Sequence, residues 1–592
     1  MKKSETYTII ENWMSNWEKS LLNWSKFVRM KEPIFLFEEK SIKKLLGDSI
    51  AAIRLDDHAI LVDMLKIQEW NLLDYSEEIL SHEIGHHVYS PGNLTNYGKM
   101  VIRVRKVLKR LEYMTPMVTN LYEDLLINYR LKRFHKLKID EVYQKINAKV
   151  EGQSNLWKFY MRIYELLWAL PKGYLSRGEI SDTMEADAGL GKDLILSYAE
   201  DFVHGSGRFA ALCYVYLLED SNSNSLEQAS LFSDTKSISM DEIPPGLLEN
   251  DPTEESDCIH PALELKEGKQ SDGISDDSDS EENGNSKSAE VNPNSKGSNS
   301  QYREPFEFGQ ILRDMGLNIN SKDIVIQYYK ERAIPYLVPF PSAKNPVSKE
   351  PLIEGVDVWE IGSPMENINW FQTAIKSPIV IPGYTTVEDR FGLSEGSEPD
   401  REPIDLDIYI DCSGSMPNPG QNVSYLALAG TIISLSALRT GSKVQATLWS
   451  GPGVFRTTKG FISDEKKVLE IITGYIGGST AFPIHIIRDT YSERKPSDRK
   501  VHILHISDDG ITTMYDKDEK GNNGYDVMQM ALDKSGGGGA TMVLNLYSSP
   551  EKDPGLKKIL EQGWDMSVIR NWTDLLEFAR KFSNKNYTFE GS

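Results

Sequence analysis

The stretch of the chain with the clearest chemical potential is Leu80–Asn93, which reads LSHEIGHHVYSPGN. It contains the pattern H-E-x-x-H, in which His82 and His86 lie four residues apart. On a helix, residues at this spacing project from one face, so both imidazoles can bind the same metal ion. Glu83 lies beside them, where its carboxylate can take a proton from an attacking water molecule. The pattern predicts a zinc site with a general base next to it, whereas His87 points to another side of the helix.

A catalytic zinc ion generally has three protein ligands and one open position. The longer pattern H-E-x-x-H-x-x-G-x-x-H is broken here, because Tyr89 replaces its glycine. We therefore expect a carboxylate from the downstream segment NLYEDLLINYR, which offers Glu123 and Asp124. Asp124 shares a helix row with Asn120 and Asn128, and such amides can orient a metal ligand by hydrogen bonding. Asp124 is the first candidate and Glu123 the second, while the alternative is that both acids lie on a solvated helix face.

A second group of candidate ligands follows the apolar run IDLDIYID. Asp411, Ser413 and Ser415 have the spacing D-x-S-x-S at the end of this predicted strand. One carboxylate and two hydroxyls at the carboxyl end of a parallel strand suit Mg²⁺, which prefers oxygen ligands.

Two later segments supply further oxygen ligands in a fitting order. Thr480 lies in the glycine-rich segment GGSTAFP, and Asp508 follows the apolar run HILHIS, with Asp509 as the alternative if that strand ends one residue later. Thr480 and Asp508 thus add two further oxygen ligands to the set that begins with Asp411.

The elements that would position the zinc ligands are mostly helices. The segments VIRVRKVLKRLEYM, NLYEDLLINYRLKRFH and NLWKFYMRIYELLWAL have apolar residues at three- and four-residue spacing. Asp74 and Glu77 predict a capping box at the start of the H-E-x-x-H helix. Ala51–Met64, rich in β-branched residues, predicts one or two strands just before that helix.

The elements that would position the magnesium ligands alternate between strands and helices from Ile404 onward. The runs IDLDIYID, KVQATLWS, KVHILHIS and ATMVLNLY suit buried parallel strands, and SYLALAGTIISLSALR and YDVMQMALDK have helical periodicity. This alternation predicts a doubly wound α/β domain. Within it, His502 and His505 are predicted to be hydrogen-bonded core or interface residues, and Cys412 a packing residue.

The bulk composition excludes several classes of protein. The formal net charge of −22 would repel a phosphate backbone, so we expect no nucleic-acid binding. The three cysteines, Cys213, Cys258 and Cys412, are far apart, as in proteins of a reducing compartment. No signal peptide and no run of about 18 apolar residues occurs, so we expect a cytoplasmic protein that does not span a membrane.

The magnesium ligands together resemble the metal-ion-dependent adhesion site (MIDAS) of von Willebrand factor A (VWA) domains. The residues that carry this resemblance are Asp411, Ser413 and Ser415 for its first loop, Thr480 for its second and Asp508 for its third. The resemblance spans about Ile404 to Phe582 and implies a binding module, in which an acidic side chain of a partner completes the coordination of Mg²⁺. One further hypothesis is that Asp276–Glu282 reaches this site in cis.

The amino-terminal half resembles zincin metallopeptidases, which hold substrate as an extra strand at a sheet edge near the metal. Gluzincins use an acidic ligand with a polar partner four residues on, which here corresponds to Asp124 and Asn128. A zincin-like half joined to a VWA domain is similar to bacterial proteins that accompany MoxR-type AAA+ ATPases. The segments NLYEDLLIN, YLVPF, DCSGSM and ISDDGIT carry this similarity. It implies a MoxR-type ATPase partner and a place in conflict or anti-phage systems, and this chain itself has no Walker A motif.

These observations predict a multidomain protein. The predicted parts are a mainly helical zincin-like α+β domain at 1–218, a disordered acidic linker at 219–305, a mixed connecting region at 306–403 that packs on the VWA domain, and a doubly wound VWA domain with a MIDAS at 404–592. Two functions follow. The first is a zinc-dependent metallopeptidase whose VWA domain recruits substrate or ATPase. The alternative is a non-proteolytic adaptor or chelatase-like subunit of an AAA+ ATPase, with a structural or inert zinc site. The intact Glu83 favours the first, because a structural site needs no base.

Overall fold

The structure is a computed structural model. It describes residues 3–54, 57–149, 153–223, 235–236, 244, 246–263, 301–317, 319–340, 342–344, 349–395, 401–495, 498–546 and 553–587. The chain divides into two compact units, Met1–Ile324 and Val325–Ser592. Much of the predicted acidic linker, including Asp276–Glu282, lies outside the described residues.

The first unit is mainly helical and contains one small mixed sheet. Its helices are α1 (Lys3–Ser15), α2 (Trp17–Leu22), α3 (Glu39–Leu45), α4 (Met64–Glu69), α5 (Ser76–Val88), α6 (Leu94–Leu108), α7 (Thr115–His135), α8 (Ile139–Lys149), α9 (Asn155–Leu167), α10 (Asp182–Ser197), α11 (Phe202–Ser223) and α12 (Pro305–Asp314). Its strands are β1 (Ile34–Leu36), β2 (Ala51–Arg54), β3 (Ile60–Asp63) and β4 (Thr235–Lys236), in the order β1-β3-β2-β4. The three predicted helices and the strands predicted within 51–64 are confirmed.

The helix that carries H-E-x-x-H begins one residue later than a capping box would place it. Asp74 lies in a 3-10 turn, Leu73–Tyr75, and α5 starts at Ser76 with no side-chain cap, so the predicted capping box is wrong. Instead, Gly85 sets how closely α5 and α7 approach. A Cβ atom there would lie 2.6 Å from side-chain atoms of both Ile127 and Trp24. The missing side chain therefore lets the two helices that carry the predicted zinc ligands come together.

Part of the segment predicted to be a linker belongs to the first unit. Residues 246–263 pack on α6, where the fully buried Arg103 pairs with Asp257 at 2.8 Å and with Asp251 at 2.9 Å. A Cβ atom on Gly207 of α11 would lie 2.5 Å from the carbonyl oxygen of Asp257. The prediction failed here because these acids are neutralised by buried arginines, so their charge does not keep the segment in solvent.

The region 306–403 was predicted to pack on the last domain, but its first part, up to Ile324, belongs to the first unit. Helix α12 packs on α6 of the first unit, and Arg105 of α6 forms an ion pair with Asp314 at 2.5 Å. Met315, just after α12, lies within 3.1 Å of where a Cβ atom on Gly98 would be. Close helix packing and a partly buried ion pair therefore hold residues 305–315 on the first unit.

The second unit contains the doubly wound sheet and the elements that lead to it. Its helices are α13 (Ser321–Ala333, which begins in the first unit), α14 (Trp370–Lys376), α15 (Tyr425–Arg439), α16 (Glu465–Ile472), α17 (Ile484–Ser492), α18 (Gly524–Lys534), α19 (Pro554–Glu561) and α20 (Trp572–Tyr587). Its strands are β5 (Ser342–Lys344), β6 (Lys349–Val358), β7 (Val387–Glu395), β8 (Arg401–Pro403), β9 (Asp405–Asp411), β10 (Val444–Trp449), β11 (Phe455–Thr457), β12 (Val501–Ser507), β13 (Ala540–Leu544) and β14 (Asp565–Val568).

The main sheet has six strands in the order β11-β10-β9-β12-β13-β14. All its neighbouring pairs are parallel except β10–β11, and every residue of β9, β10 and β12 is buried, which agrees with the continuous apolar runs in the sequence. The chain first builds the β10 side of β9 and then crosses to β12. The strand order therefore reverses between β9 and β12, where doubly wound sheets open a crevice for ligands.

The elements before this sheet are partly buried and partly exposed. Tyr329 of α13 is buried, and its hydroxyl accepts a hydrogen bond of 2.9 Å from the backbone N–H of Ser424, the N-cap of α15. Strands β6 and β7 form a two-stranded antiparallel sheet, and the segment between them exposes large apolar residues, among them Phe371, Ile379 and Tyr384.

The two histidines of β12 are both buried, as predicted for core residues. His502 is hydrogen-bonded to the carbonyl oxygen of Gly538 at 2.8 Å and to Thr541 at 3.1 Å. Neither ring nitrogen of His505 has a hydrogen-bond partner among the described residues, so the prediction of a hydrogen-bonded residue is wrong there. Burial lowers the pKa of His502 to about 4 and that of His505 to about 3. Both therefore remain neutral in the folded protein.

Across the part of the chain that the structure describes, the helices are too short or too polar for any of them to span a bilayer.

Candidate metal centres

The first candidate centre lies between α5 and α7 and contains His82, His86 and Asp124. One ligand atom from each of these residues lies within 4.8 Å of the other two. Nε2 of His82 is 3.5 Å from Oδ1 of Asp124, and Nε2 of His86 is 3.4 Å from the same oxygen. His86 and Asp124 are fully buried, and His82 is partly accessible. The H-E-x-x-H helix and the acidic helix thus present two nitrogens and one oxygen to a common point.

These separations fit a zinc ion better than they fit hydrogen bonds. An N–H···O hydrogen bond has a typical length of about 2.7–3.2 Å. Zinc bonds of about 2.0–2.2 Å in tetrahedral geometry place ligand atoms about 3.3–3.6 Å apart. The 3.4 and 3.5 Å separations fall in the second range. Imidazole nitrogen and carboxylate oxygen are also ligands that zinc accepts, so the residues present fit the ion.

The two acidic neighbours on α7 occupy different positions. Asp124 faces the Nε2 atoms of both histidines, whereas Oε2 of Glu123 lies 3.3 Å from Nδ1 of His86, on the other side of that ring. A metal-binding histidine commonly donates its second N–H to a carboxylate, which fixes the ring and raises its basicity. The geometry therefore favours Asp124 as a ligand and Glu123 as the residue that orients His86.

The same arrangement recurs at His82, whose Nδ1 lies 2.8 Å from Oδ1 of Asn128 and so leaves Nε2 for the metal. The side chain of Asn128 donates hydrogen bonds to the hydroxyls of Tyr164 at 2.8 Å and Tyr143 at 3.2 Å. Asn120 donates to both carboxylate oxygens of Asp124 at 3.3 Å. The sequence row of Asn120, Asp124 and Asn128 indicated the amides. The two tyrosines come from α8 and α9, and no pattern in the sequence pointed to them.

Electrostatics hold the centre together in the metal-free protein. Burial disfavours the charged form of His86, but the adjacent carboxylates of Asp124 and Glu123 outweigh it and raise the pKa of His86 to about 10. Burial likewise raises the pKa of Asp124, and the positive charges of His82 and His86 more than offset it, so that this pKa is lowered. Two buried carboxylates thus hold a cation in place, and a divalent ion would take the position of the proton.

Glu83 and the neighbouring histidine His87 differ in their surroundings. Glu83 is buried and, together with His82, borders a cavity of about 60 Å³ beside the centre. Its position next to a ligand and at the wall of a cavity is what a general base requires. His87 stacks on His58 with ring centroids 3.9 Å apart, on a different side of α5 from His82 and His86. It lies outside the metal-ligating group, as the helix geometry predicted.

The second candidate centre lies at the carboxyl ends of β9 and β12, where the strand order reverses. The hydroxyl of Ser507, the last residue of β12, donates to Oδ2 of Asp411 at 2.6 Å. The hydroxyl of Ser415 donates to Oδ2 of Asp508 at 2.5 Å and lies 3.2 Å from the hydroxyl oxygen of Ser413. The first and third predicted segments therefore meet through direct hydrogen bonds. Ser507 was not predicted as part of this group, although its place before Asp508 is a signal.

Thr480, from the second predicted segment, is brought to the same place around Gly510. A Cβ atom on Gly510 would lie 2.5 Å from the methyl carbon of Thr480, 2.9 Å from Oδ1 of Asp508 and 3.5 Å from Oδ2 of Asp411. Asp509, the alternative to Asp508, is exposed. The structure thus brings together all five residues predicted for the magnesium site, and it leaves no room for a side chain at Gly510.

In the second centre, the carboxyl groups of Asp411 and Asp508 lie close enough for Asp508 to disfavour the charged form of Asp411. Burial raises the pKa of Asp411, and the nearby Asp508 raises it further, although hydrogen bonds from Ser507 and Ser413 act in the opposite direction. A cation would relieve this repulsion, and carboxylate and hydroxyl oxygens are the ligands that Mg²⁺ prefers. The donor set therefore fits magnesium. Cys412 is buried, and its thiol donates to the carbonyl oxygen of Trp449 at 3.2 Å, which is the packing role predicted for it.

Comparisons with known proteins add little to this geometry. No protein-family model matches the chain. No curated protein matches it. Among solved structures, this chain is similar to one described as an aerotolerance-related membrane protein from Bacteroides fragilis, with multiple mutations to serines. The similarity covers 31% of this chain and 99% of the other. The identity is 17% and the TM-score 0.20, a value too low to support an inference about fold or function.

Proposed function

We propose that this protein is a zinc-dependent metallopeptidase, in which His82, His86 and Asp124 bind zinc and Glu83 is the general base. The observation that carries the proposal is the pair of 3.4 and 3.5 Å separations between the histidine Nε2 atoms and one oxygen of Asp124. A general base beside the ligands and a cavity at the same place distinguish a catalytic zinc site from a structural one.

The side chains around the centre have separate tasks in this proposal. Zinc, when bound, would polarise the carbonyl group of the scissile bond and lower the pKa of water. Glu83 takes the proton from the attacking water and passes it to the leaving amine. Glu123 and Asn128 hold the two imidazoles with their Nε2 atoms toward the metal. Burial of the ligands keeps competing water away from them and strengthens each electrostatic interaction.

The second unit is proposed to be a VWA-type binding module with Mg²⁺ held by Asp411, Ser413, Ser415, Thr480 and Asp508. Its position at the reversal of strand order supports ligand binding, because the crevice there opens at the carboxyl ends of β9 and β12. Ser415 is exposed, whereas Asp411 and Ser413 are buried, so one side of the centre faces solvent. An acidic side chain of a protein partner would complete the coordination, and a MoxR-type AAA+ ATPase in a bacterial conflict system is the partner that the sequence resemblance implies.

The test of the peptidase is a comparison of the wild type with Glu83→Gln after both have been shown to contain equal zinc. A peptide library serves as substrate. We expect cleavage by the wild type and a loss of about 10²- to 10⁴-fold in the variant, the usual contribution of a general base. Equal cleavage by both proteins, or none by either with zinc bound, would contradict the proposal.

A second candidate function is a non-proteolytic adaptor or a chelatase-like subunit of an AAA+ ATPase. The observation in its favour is that Ser415 hydrogen-bonds to Asp508, and Ser507 to Asp411, where the strand order of the six-stranded sheet reverses. Sheets of this type bind ligands at such a reversal. Under this function, Glu83→Gln would leave partner binding and all activity unchanged, while Asp411→Asn would abolish partner binding. The two variants therefore separate the candidates.

A further inference from the structure

The structure assigns to the cavity beside His82 and Glu83 a specific ligand: a short branched aliphatic side chain of the substrate, next to the bond that is cut. This inference rests on the proposed peptidase function and names its substrate class. The cavity has a volume of about 60 Å³ and is bordered by both residues. A side chain placed in it would therefore belong to a residue adjacent to the reacting carbonyl.

The wall of the cavity is aliphatic and comes from three separate elements. Ile79 of α5 lies one turn before His82, and Ala51 begins β2. Helix α8 contributes a row with helical spacing, which consists of Ile139, Val142 and Ile146. Each of these residues is no more than 9% exposed, so packing holds the wall before any ligand arrives. Such a pre-formed apolar pocket with a few polar groups at its edge is typical of a ligand site.

The volume of the cavity limits which apolar side chains can enter it. A water molecule takes about 30 Å³ of liquid volume, and a cavity that binds benzene measures about 150 Å³. At about 60 Å³, this cavity has room for the branched end of valine, isoleucine or leucine and excludes an aromatic ring. The long chain of lysine does not fit either.

The charge at the edge of the cavity disfavours acidic side chains. Glu78 borders the cavity, is buried, and accepts a hydrogen bond of 3.2 Å from the backbone N–H of Lys138. An acidic side chain of the substrate would lose its hydration opposite this carboxylate and gain no partner, which is strongly unfavourable. The cavity therefore disfavours acidic side chains by charge, and it disfavours aromatic and long basic side chains by size, which leaves short aliphatic ones.

The cavity and the metal ligands are joined by Asn128. This residue lines the cavity, lies 2.8 Å from Nδ1 of His82 and donates at 3.2 Å to the hydroxyl of Tyr143, another lining residue on α8. A side chain that enters the cavity thus contacts the residues that orient a zinc ligand. We infer that occupation of the pocket and correct placement of the scissile bond depend on each other.

The experiment measures binding of amino-acid hydroxamates to the full-length, zinc-loaded protein, so that its readout does not require cleavage. Acetohydroxamate binds the metal without a side chain and is the reference. We expect leucine hydroxamate to bind about ten-fold or more tightly than alanine hydroxamate, since one or a few methylenes in a fitted pocket are worth about 10- to 200-fold. Phenylalanine, lysine and glutamate hydroxamates should bind no more tightly than alanine hydroxamate.

Two variants reshape the cavity in opposite directions. Val142→Phe fills it and should reduce the affinity for leucine hydroxamate to that for acetohydroxamate. Ile146→Ala enlarges it and should move the preference from leucine to phenylalanine hydroxamate, a gain that misfolding cannot produce. The control is Ala148→Phe, a substitution on the exposed face of the same helix, which should leave the whole series unchanged.

The outcomes separate this inference from the proposed function. Binding of acetohydroxamate with no dependence on side chain would overturn the pocket and leave the zinc site standing. A wild-type preference that Val142→Phe and Ile146→Ala do not alter would place the side chain elsewhere and also overturn the pocket. A zinc-loaded protein that does not bind acetohydroxamate would overturn both the accessible zinc site and the pocket that depends on it.

Discussion

The two candidate metal centres of this protein are built in opposite ways. In the first, rigid helices bring imidazole and carboxylate groups to one buried point, and the ligand atoms stand 3.4–3.5 Å apart, as a tetrahedral ion requires. In the second, loops after two neighbouring strands supply carboxylates and hydroxyls that hydrogen-bond directly to one another. One centre is pre-formed by packing, and the other is assembled from segments that an ion would have to separate.

The two constructions suit different metals and different tasks. Nitrogen ligands, burial and an adjacent general base suit zinc and the polarisation of a substrate. Oxygen ligands at the open edge of a sheet suit a hard cation and the recognition of an acidic partner. The first centre needs fixed geometry and the second needs an exposed position.

The largest effect is expected from the two acidic neighbours at the zinc centre. Glu123→Gln should weaken zinc binding by about 10- to 100-fold, the usual cost of losing a residue that orients a ligand. Asp124→Asn should weaken it further, because the negatively charged ligand itself is lost. The measurement is competition for zinc with a chelator of known affinity, and Asp411→Asn is the control that should leave zinc affinity unchanged. A larger loss with Glu123→Gln than with Asp124→Asn would reverse the assignment of the ligand.

The sequence predicted those features of the two centres that depend on residues close together in the chain. It did not predict those that depend on contacts between distant elements. Strong periodicity predicted α5, α7 and the buried strands, because burial of one helix face or of a whole strand requires it. The spacing of His82 and His86 follows from the helix alone. Glu123 and Asp124, however, are adjacent on one helix, and only the position of α5 against α7 shows which faces the metal.

Other features could not be predicted from local sequence patterns. The packing of 246–263 depends on Arg103, which lies 154 residues before Asp257 in the sequence. Arg103 neutralises acids that otherwise suggest a linker. The cavity beside Glu83 needs α8, whose apolar row indicates only that one face is buried. Helical periodicity predicts that a face is covered and does not predict what covers it.

The next prediction concerns the close approach of α5 and α7. In Gly85→Ala, the new Cβ atom would meet Ile127 and Trp24 at 2.6 Å, so the helices must move apart. Overpacking of this kind costs about 1–3 kcal/mol in the free energy of unfolding, and we expect zinc affinity to fall with it. Gly189→Ala in α10 is the matched control, because its Cβ atom meets nothing within 4 Å. It should stabilise the protein by about 0.5–1 kcal/mol. Urea unfolding of both variants measures the difference, and an unchanged Gly85→Ala protein would contradict close packing at this site.

Two buried histidines, His86 and His505, should have opposite effects on how stability changes with pH. The pKa of His86 is raised to about 10 by carboxylates, so in metal-free protein its contribution to stability is present below about pH 6.5 and is lost as pH rises toward 10. The pKa of His505 is lowered to about 3 by burial, so its unfolded form takes up a proton first and stability is lost as pH falls below about 6.5.

The variant His505→Phe should remove the second effect. The ring lies among Tyr409, Phe482 and Trp564, an environment that accepts an apolar ring. At pH 5 the histidine costs about 2 kcal/mol relative to neutral pH, from about 1.4 kcal/mol for each pH unit below 6.5. Chemical unfolding of the metal-free wild type and variant from pH 5 to pH 8 should show a smaller loss of stability on acidification in the variant. Parallel pH profiles would show that His505 takes no part in the pH dependence.

The smallest effect on stability is expected at the candidate magnesium centre. In Gly510→Ala, the new Cβ atom would lie 2.5 Å from Thr480 and 2.9 Å from Asp508, so these ligands must separate. Because they come from loops, which move more easily than packed helices, the fold should lose less stability than in Gly85→Ala. Affinity for Mg²⁺, measured by calorimetry, should fall about ten-fold, which is the effect of about 1.4 kcal/mol of lost coordination energy. If Gly510→Ala instead destabilised the protein as much as Gly85→Ala and left Mg²⁺ binding intact, the second centre would be as rigid as the first. The division between a pre-formed zinc site and an assembled magnesium site would then be wrong.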